Sequence, residues 1–120
     1  MYTALVLDPA SSAKLAGSID MVVLAEYDEI LCHHMTINMG SCQMPTELGK
    51  PYSMKVIAIG SDSLVIAAQV ETDCESKNTV KHVTIAVNRA KGGKPFSSNK
   101  LTEWLPFDGP TLNGTVQECN

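Results

Sequence analysis

The sequence has no long hydrophobic run and no closely spaced pair of cysteines. No window approaches the ~20 apolar residues that a helix needs to span a bilayer, and the first residues lack the basic segment of a secretory signal. The cysteines Cys32, Cys42, Cys74 and Cys119 form no C-x-x-C pair. We therefore predict a soluble, cytoplasmic protein with reduced thiols and no membrane partner.

Charged residues are also scarce, and neither sign forms a continuous block. They make up 18% of the chain, with nine Lys and Arg against thirteen Asp and Glu. This balance excludes the broad basic surface that binds long nucleic acid through many phosphates. A small nucleotide, an oligonucleotide or an RNA end fits better, and the Lys and Arg residues between positions 81 and 100 give local positive charge to attract it.

The chain has no low-complexity segment, no linker and no shift in composition that would mark a domain boundary. Hydrophobic residues make up 44% of its 120 residues. A chain of this size and composition buries a core of its own. We predict a single domain over residues 1–120.

Hydrophobic alternation and turn residues predict an α+β fold with a mainly antiparallel sheet. Asp8 before Pro9 is typical of a helix N-cap followed by the first helical residue. The predicted helices are a short one ending near Ala16 and a single turn within 98–104, with a loop over 88–99. The predicted strands are 3–7, 30–39, 52–59, 64–70, 80–87 and 114–118.

A degenerate internal repeat indicates two equivalent halves. His34-Met35-Thr36-Ile37 is followed by Gly49-Lys50-Pro51-Tyr52-Ser53, and His82-Val83-Thr84-Ile85 is followed by Gly93-Lys94-Pro95-Phe96-Ser97. We interpret each Gly-Lys-Pro as a turn that enters the next strand. The repeat is therefore evidence for internal symmetry.

Each half of the repeat contains an H-x-T motif on a predicted strand. Residues i and i+2 of a strand project to the same side, so each motif presents an imidazole and a hydroxyl together. One of His34 and His82 can accept a proton from water while the other donates one to a leaving oxygen. Thr36 and Thr84 can hold the non-bridging phosphate oxygens. This is a metal-free arrangement for phosphoryl transfer, with a bell-shaped pH profile as its signature.

The paired motifs His34-Met35-Thr36 and His82-Val83-Thr84 resemble those of the 2H phosphoesterases. The chain is also similar to the cyclic phosphodiesterase modules of RNA repair and tRNA splicing. The resemblance implies an α+β fold of two pseudo-symmetric lobes around a central cleft. It also implies hydrolysis of a 2′,3′-cyclic phosphate or a related RNA or nucleotide phosphodiester, without a cofactor. It also implies that His34 and His82 are the acid and base, and that Thr36 and Thr84 bind phosphate.

Four further residues are candidate substrate contacts: Lys94, Ser98, Lys100 and Trp104. Trp104 is the only tryptophan, and its ring suits stacking on a base, although core packing explains it equally well. Lysines in a Gly-rich loop are more often only solvated. Ser98 follows the second motif closely enough to line the site.

Other roles remain open for several of these residues. His34 and His82 also fit half-buried structural histidines, and His33 should point away from His34 on a strand, which favours a structural or surface role. A zinc site from Cys32, His33, His34 and Cys42 is disfavoured because adjacent strand histidines diverge. The alternative functions are hydrolysis of 2′-5′ or cyclic oligonucleotide signals, and nucleotide binding without turnover.

Overall fold

The computed structural model describes all residues from 1 to 120 and is dominated by strands. The strands are β1 (Tyr2–Leu7), β2 (Glu29–Ile30), β3 (His34–Met39), β4 (Pro51–Ser61), β5 (Val65–Glu71), β6 (His82–Val87), β7 (Leu105–Pro106) and β8 (Thr111–Cys119). The helices are α1 (Pro9–Gly17) and α2 (Met21–Leu24), with 3₁₀ segments at Pro45–Glu47, Arg89–Lys91 and Pro95–Lys100. None of the helices combines the length and the hydropathy that a bilayer crossing requires.

Six strands close into an antiparallel barrel. Their order is β6, β3, β1, β8, β4 and β5, and β5 pairs again with β6 to complete the ring. The short strands β2 and β7 add to β6 and β4. The predicted α+β class with a mainly antiparallel sheet is therefore confirmed.

The barrel is filled by alternate residues of its strands, as the period of two along a strand requires. Leu5, Met35, Met54, Val83 and Leu112 are all completely buried, and they come from five of the six strands. Each of these strands sends its other residues to the outer face. The H-x-T residues lie on that outer face.

The predicted first helix is present, and the predicted strands 52–59 and 64–70 form a hairpin. Asp8 caps α1, since its Oδ1 accepts a hydrogen bond of 2.7 Å from the backbone N–H of Ser11. Strands β4 and β5 form the hairpin, and Asp62 Oδ1 accepts from the N–H groups of Leu64 and Val65 in its turn. Local capping and turn chemistry explains why these elements are visible in the sequence.

The sheet is continuous, so the two predicted lobes around a cleft are not separate units here. The strand order is nevertheless symmetric about the β3–β6 pair, with β1 then β8 on one side and β5 then β4 on the other. The two motif strands lie side by side rather than across a cleft.

The two Gly-Lys-Pro segments are not equivalent turns. Pro51 begins β4, as predicted, but Pro95 begins a 3₁₀ segment. A Cβ atom on Gly93 would lie 2.2 Å from the carbonyl oxygen of Leu64. This close packing against the β4–β5 turn, with a bond from the Gly93 N–H to Asn88, directs the chain away from a strand.

The predicted strand 30–39 is interrupted. Cys32 has a positive φ of 47°, which breaks the segment into β2 and β3, although the N–H groups of Leu31 and Cys32 still donate to β6. Later, Thr36 pairs with Ala4 and Asn38 with Thr3, which leaves one extra residue in β3. Asn38 is buried as a result, whereas the alternation of an unbroken strand would place it on the outer face with His34.

The C-terminal third also differs from the prediction in its boundaries. The predicted loop 88–99 contains two 3₁₀ segments, and the helical turn begins at Pro95 rather than Ser98. The last strand is longer than the predicted 114–118, because β8 pairs with both β1 and β4.

Candidate functional site

The two H-x-T motifs lie on neighbouring strands, on the outside of the barrel. Met35 of β3 pairs with Val83 of β6 in antiparallel register, and both side chains are completely buried in the core. The residues before and after each of them must then point outward. The sheet thus brings the two motifs together on one surface.

The one β3–β6 pair is Met35 with Val83, in antiparallel register. Continued by one residue on each side, this register would place His34 facing Thr84 and Thr36 facing His82, with the two histidines on one diagonal. His82 is buried, while the other three side chains are half-buried. The four predicted residues therefore lie close together on one outer surface of the barrel.

His82 has its orientation fixed by the backbone. Its Nδ1 lies 2.7 Å from the carbonyl oxygen of Val80. Because a carbonyl only accepts hydrogen bonds, Nδ1 must carry the hydrogen, and the neutral ring has an unprotonated Nε2. Burial lowers the pKa of His82, and the bond to Val80 opposes this shift.

His34 lies between two other rings. The Tyr2 ring centroid is 4.9 Å from that of His34, and His33 Nδ1 lies 2.9 Å from His34 Nδ1. Burial, together with the nearby rings of His33 and His82, lowers the pKa of His34 to about 4. Two neighbouring cations would repel, so the neutral form of His34 is favoured.

The prediction that His33 points away from His34 is wrong. The alternation of side chains applies only within a strand, and His33 precedes the first residue of β3. The positive φ of Cys32 redirects the chain just before it. His33 is exposed, yet its ring meets that of His34 edge-on.

Thr84 is held by the 3₁₀ segment Pro95–Lys100, which packs over β5 and β6. Thr84 Oγ1 lies 2.8 Å from Ser98 Oγ, and either hydroxyl can be the donor. Ser98 is almost completely buried. The equivalent support for the first motif comes from Ser76, whose hydroxyl donates to the backbone carbonyl of Thr36 over 2.8 Å.

A cavity of 460 Å³ opens beside His82. Of the candidate contacts, Ser98 and Trp104 line this cavity, whereas Lys94 and Lys100 are exposed and do not. The other lining residues are Lys77, Asn78, Thr79, Val80, Phe96, Asn99 and Leu101. The sequence carries no signal for Lys77 to Thr79, since they lie in the irregular segment between β5 and β6, where no periodicity indicates a site.

The Trp104 indole packs directly against Gly60 on the outer face of β4. A Cβ atom on Gly60 would lie 2.9 Å from Trp104 Cε3, so only glycine leaves room for the indole there. The Trp104 and His82 ring centroids are 6.1 Å apart. The indole therefore forms the wall of the cavity next to the histidine.

Of the four residues of the disfavoured zinc site, only His33 and His34 are in contact with each other. The Cys32 thiol is buried and donates to the Ile85 carbonyl, and burial raises its pKa to about 11. Cys42 lines a second cavity of 500 Å³ together with Cys74. All four cysteines are free, and no group of three or more His, Cys, Asp or Glu side chains is gathered in one place.

No protein-family model matches this chain, and no curated protein matches it.

Proposed function

We propose that this protein is a metal-independent phosphodiesterase of the 2H phosphoesterase type that hydrolyses a 2′,3′-cyclic phosphate or a related short nucleotide phosphodiester in the cytoplasm. The observation that carries the proposal is the pairing of Met35 with Val83, whose side chains are both buried. The histidine and threonine of both motifs therefore share one outer surface. Acid, base and two phosphate-binding hydroxyls are what this hydrolysis needs.

The spacing of the four groups suits one phosphate. Diagonal neighbours across an antiparallel pair lie roughly 7 to 8 Å apart. With their backbones this far apart, both imidazole rings can reach one phosphate, each through a hydrogen bond of about 2.8 Å. The hydroxyls of Thr36 and Thr84, on the other diagonal, would then reach its non-bridging oxygens.

Hydrolysis would proceed by in-line attack of water on phosphorus. One histidine takes a proton from the water as the new P–O bond forms, and the P–O bond to a ribose oxygen breaks. The other histidine donates a proton to that ribose oxygen. The products are a phosphomonoester and a free ribose hydroxyl, and the two proton transfers balance.

The cavity beside His82 suits the nucleoside of the substrate. Its volume of 460 Å³ falls in the range of small-molecule sites. Trp104 offers a face for stacking one base, and Lys77 offers a positive charge at the rim. With a net charge of −4, the chain is suited to a short RNA end or a nucleotide rather than a long strand.

The proposal is tested by incubating the protein with EDTA and a panel of phosphodiesters, read by mass spectrometry. The panel contains 2′,3′-cyclic nucleotides, an RNA oligomer with a 2′,3′-cyclic phosphate, 2′-5′ oligoadenylate and cyclic oligonucleotides. Conversion of a 2′,3′-cyclic phosphate is the expected result. Turnover of only the 2′-5′ or cyclic oligonucleotides would establish the signal-hydrolysing alternative, and no turnover and no binding would overturn the proposal.

One observation favours a second function, nucleotide binding without turnover. The pKa values of both His34 and His82 are lowered by burial, so neither ring holds a second proton readily near neutral pH. Two neutral imidazoles bind a phosphate through hydrogen bonds but supply no strong acid. Tight binding of a panel member with no product would identify this function.

A further inference from the structure

The two motifs differ at the residue that precedes the histidine. In the first motif this residue is His33, whose Nδ1 lies 2.9 Å from that of His34. In the second motif it is Lys81, whose Nζ turns away to the carbonyl of Thr72 over 2.9 Å. The surroundings of His34 and His82 are thus chemically unequal, although the motifs are alike.

The hydrogen-bond partners of His82 and His34 determine which ring nitrogen carries the hydrogen in each neutral histidine. The Val80 carbonyl obliges His82 to carry its hydrogen on Nδ1, so neutral His82 presents a lone pair on Nε2. Between His33 and His34, a single hydrogen fits the 2.9 Å gap between the two Nδ1 atoms. When that hydrogen belongs to His33, neutral His34 carries its own hydrogen on Nε2.

We propose that His33 is a positioning residue that stores the proton for His34, which makes His34 the general acid and His82 the general base. This inference rests on the proposed function, because it assigns the roles within the same reaction. It gives the site an acid that the two motif histidines lack by themselves.

The proton transfers balance as a relay. Protonated His33 carries hydrogens on both ring nitrogens and donates from Nδ1 to His34. As the P–O bond breaks, His34 Nε2–H protonates the ribose oxygen and His34 Nδ1 takes the proton of His33. Both rings end neutral, while His82 Nε2 has taken the proton of the attacking water. The starting state returns when His82 releases that proton to solvent, His34 Nε2 takes a proton from solvent, and the Nδ1 hydrogen of His34 goes back to the exposed His33.

The groups around His34 leave His33 as the proton source. The titratable side chains that face His34 are Tyr2 from β1, His82 from β6 and His33 from the preceding segment. Burial holds the pKa of His34 at about 4 and raises that of Tyr2. Of the three histidines, His33 is the exposed one, so it exchanges protons with water directly.

The test compares His33→Ala with the matched control Lys81→Met, which changes the corresponding position of the second motif. Two quantities are measured: the tautomer of His34 by ¹⁵N NMR, and the pH profile of kcat on the substrate found in the panel. In the unaltered protein near neutral pH, we expect His34 to carry its hydrogen on Nε2 and His82 on Nδ1.

In His33→Ala, we expect His34 to lose its fixed tautomer and kcat to fall about 100-fold near neutral pH. The alkaline limb of the profile should move to lower pH, because His34 itself must then hold the proton. Lys81→Met should keep the His34 tautomer and the position of that limb. Because the His33 side chain is exposed, its removal leaves no cavity in the core. Circular dichroism should therefore show that both variants are folded.

The outcomes separate this inference from the proposed function. If the unaltered protein turns over no substrate, the proposed function fails, and a His34 tautomer that does not depend on His33 would overturn the hydrogen-bonded pair as well. If the unaltered protein is active and His33→Ala keeps both the tautomer and the alkaline limb, the inference alone is wrong.

Discussion

Ser98 Oγ lies 2.8 Å from Thr84 Oγ1 and ties the 3₁₀ segment Pro95–Lys100 to the second motif. Because Ser98 is almost completely buried, this bond fixes the orientation of the Thr84 hydroxyl, and Ser98 itself lines the cavity beside His82. Thr84 belongs to β6 and Ser98 to the 3₁₀ segment, and no periodic pattern in the sequence predicts that these two elements are in contact. Their contact therefore depends on how the 3₁₀ segment folds back over β6.

Ser98→Ala tests the role of this contact. A buried hydrogen bond contributes about 1 kcal/mol, so we expect a comparable fall in the free energy of unfolding. The released Thr84 hydroxyl should also raise KM about three- to tenfold, with kcat changed less. Urea denaturation and steady-state kinetics measure the two effects. Ser53→Ala, an exposed position on β4, is the control, and an equal effect there would contradict the assignment.

Gly60→Ala tests whether the packing of Trp104 against Gly60 supports nucleotide binding. The added methyl group would lie 2.9 Å from the indole and 3.0 Å from the carbonyl oxygen of Glu103, so the ring must move. Base stacking contributes roughly 1 to 3 kcal/mol, and we expect nucleotide affinity to fall about tenfold. Trp104 is the only tryptophan, so its fluorescence reports both the shift and the binding.

Gly17→Ala is the matched control for that substitution. A Cβ atom at Gly17 meets nothing within 4 Å, and the residue lies at the end of α1. We expect unchanged nucleotide affinity and an unchanged tryptophan spectrum. Equal loss of affinity in both variants would show that Gly60 acts through general stability rather than through Trp104.

Lys77→Met tests which lysine serves the substrate. Both lysines are exposed, but Lys77 lines the cavity beside His82, whereas Lys100 lines neither of the two cavities. Loss of one nearby positive charge should raise KM for a phosphodiester several-fold and weaken the dependence of KM on salt. Lys100→Met should change KM by less than about twofold. The reverse ranking would restore Lys100 as the substrate contact that the sequence analysis selected.

The lowered pKa of His34 predicts a dependence of stability on pH. The folded protein holds this pKa at about 4 instead of 6.5, so between these values the unfolded chain binds a proton that the folded chain does not. The free energy of unfolding should therefore fall as the pH drops through this window, by about 3 kcal/mol at most, and be constant above it.

Urea denaturation at pH 7 and at pH 4.5 measures this loss. His34→Gln removes the titrating group and keeps a polar side chain of similar length, so its stability should vary less between the two pH values. His82 contributes in the same direction, because burial also lowers its pKa. A loss that is the same in His34→Gln as in the unaltered protein would show that other groups are responsible.

Much of the architecture could be predicted because local chemistry specifies it. Asp8 caps α1 by its own carboxylate, and Asp62 closes the β4–β5 turn in the same way. The alternation in β6 placed Val83 inside and the second motif outside. The closure of the barrel was not predicted, since it depends on pairings between strands distant in sequence, such as β1 with β8.

The site was predicted as four residues but not as a surface. The H-x-T spacing identified which residues share a face, while the antiparallel register of Met35 with Val83 determines which are opposite each other. The contact of His33 with His34 could not be predicted, because it follows from the positive φ of Cys32. A backbone conformation rare for cysteine has no signature in the sequence.

In the proposed reaction, His34 and His82 act as one acid–base pair. The most direct measurement is kcat of His34→Ala, His82→Ala and the double variant on a 2′,3′-cyclic phosphate in EDTA, with folding checked by circular dichroism. We predict that each single variant loses at least about 100-fold, and that the double variant loses little more, because both groups serve one step. Substantial turnover by either folded single variant would contradict the two-histidine mechanism.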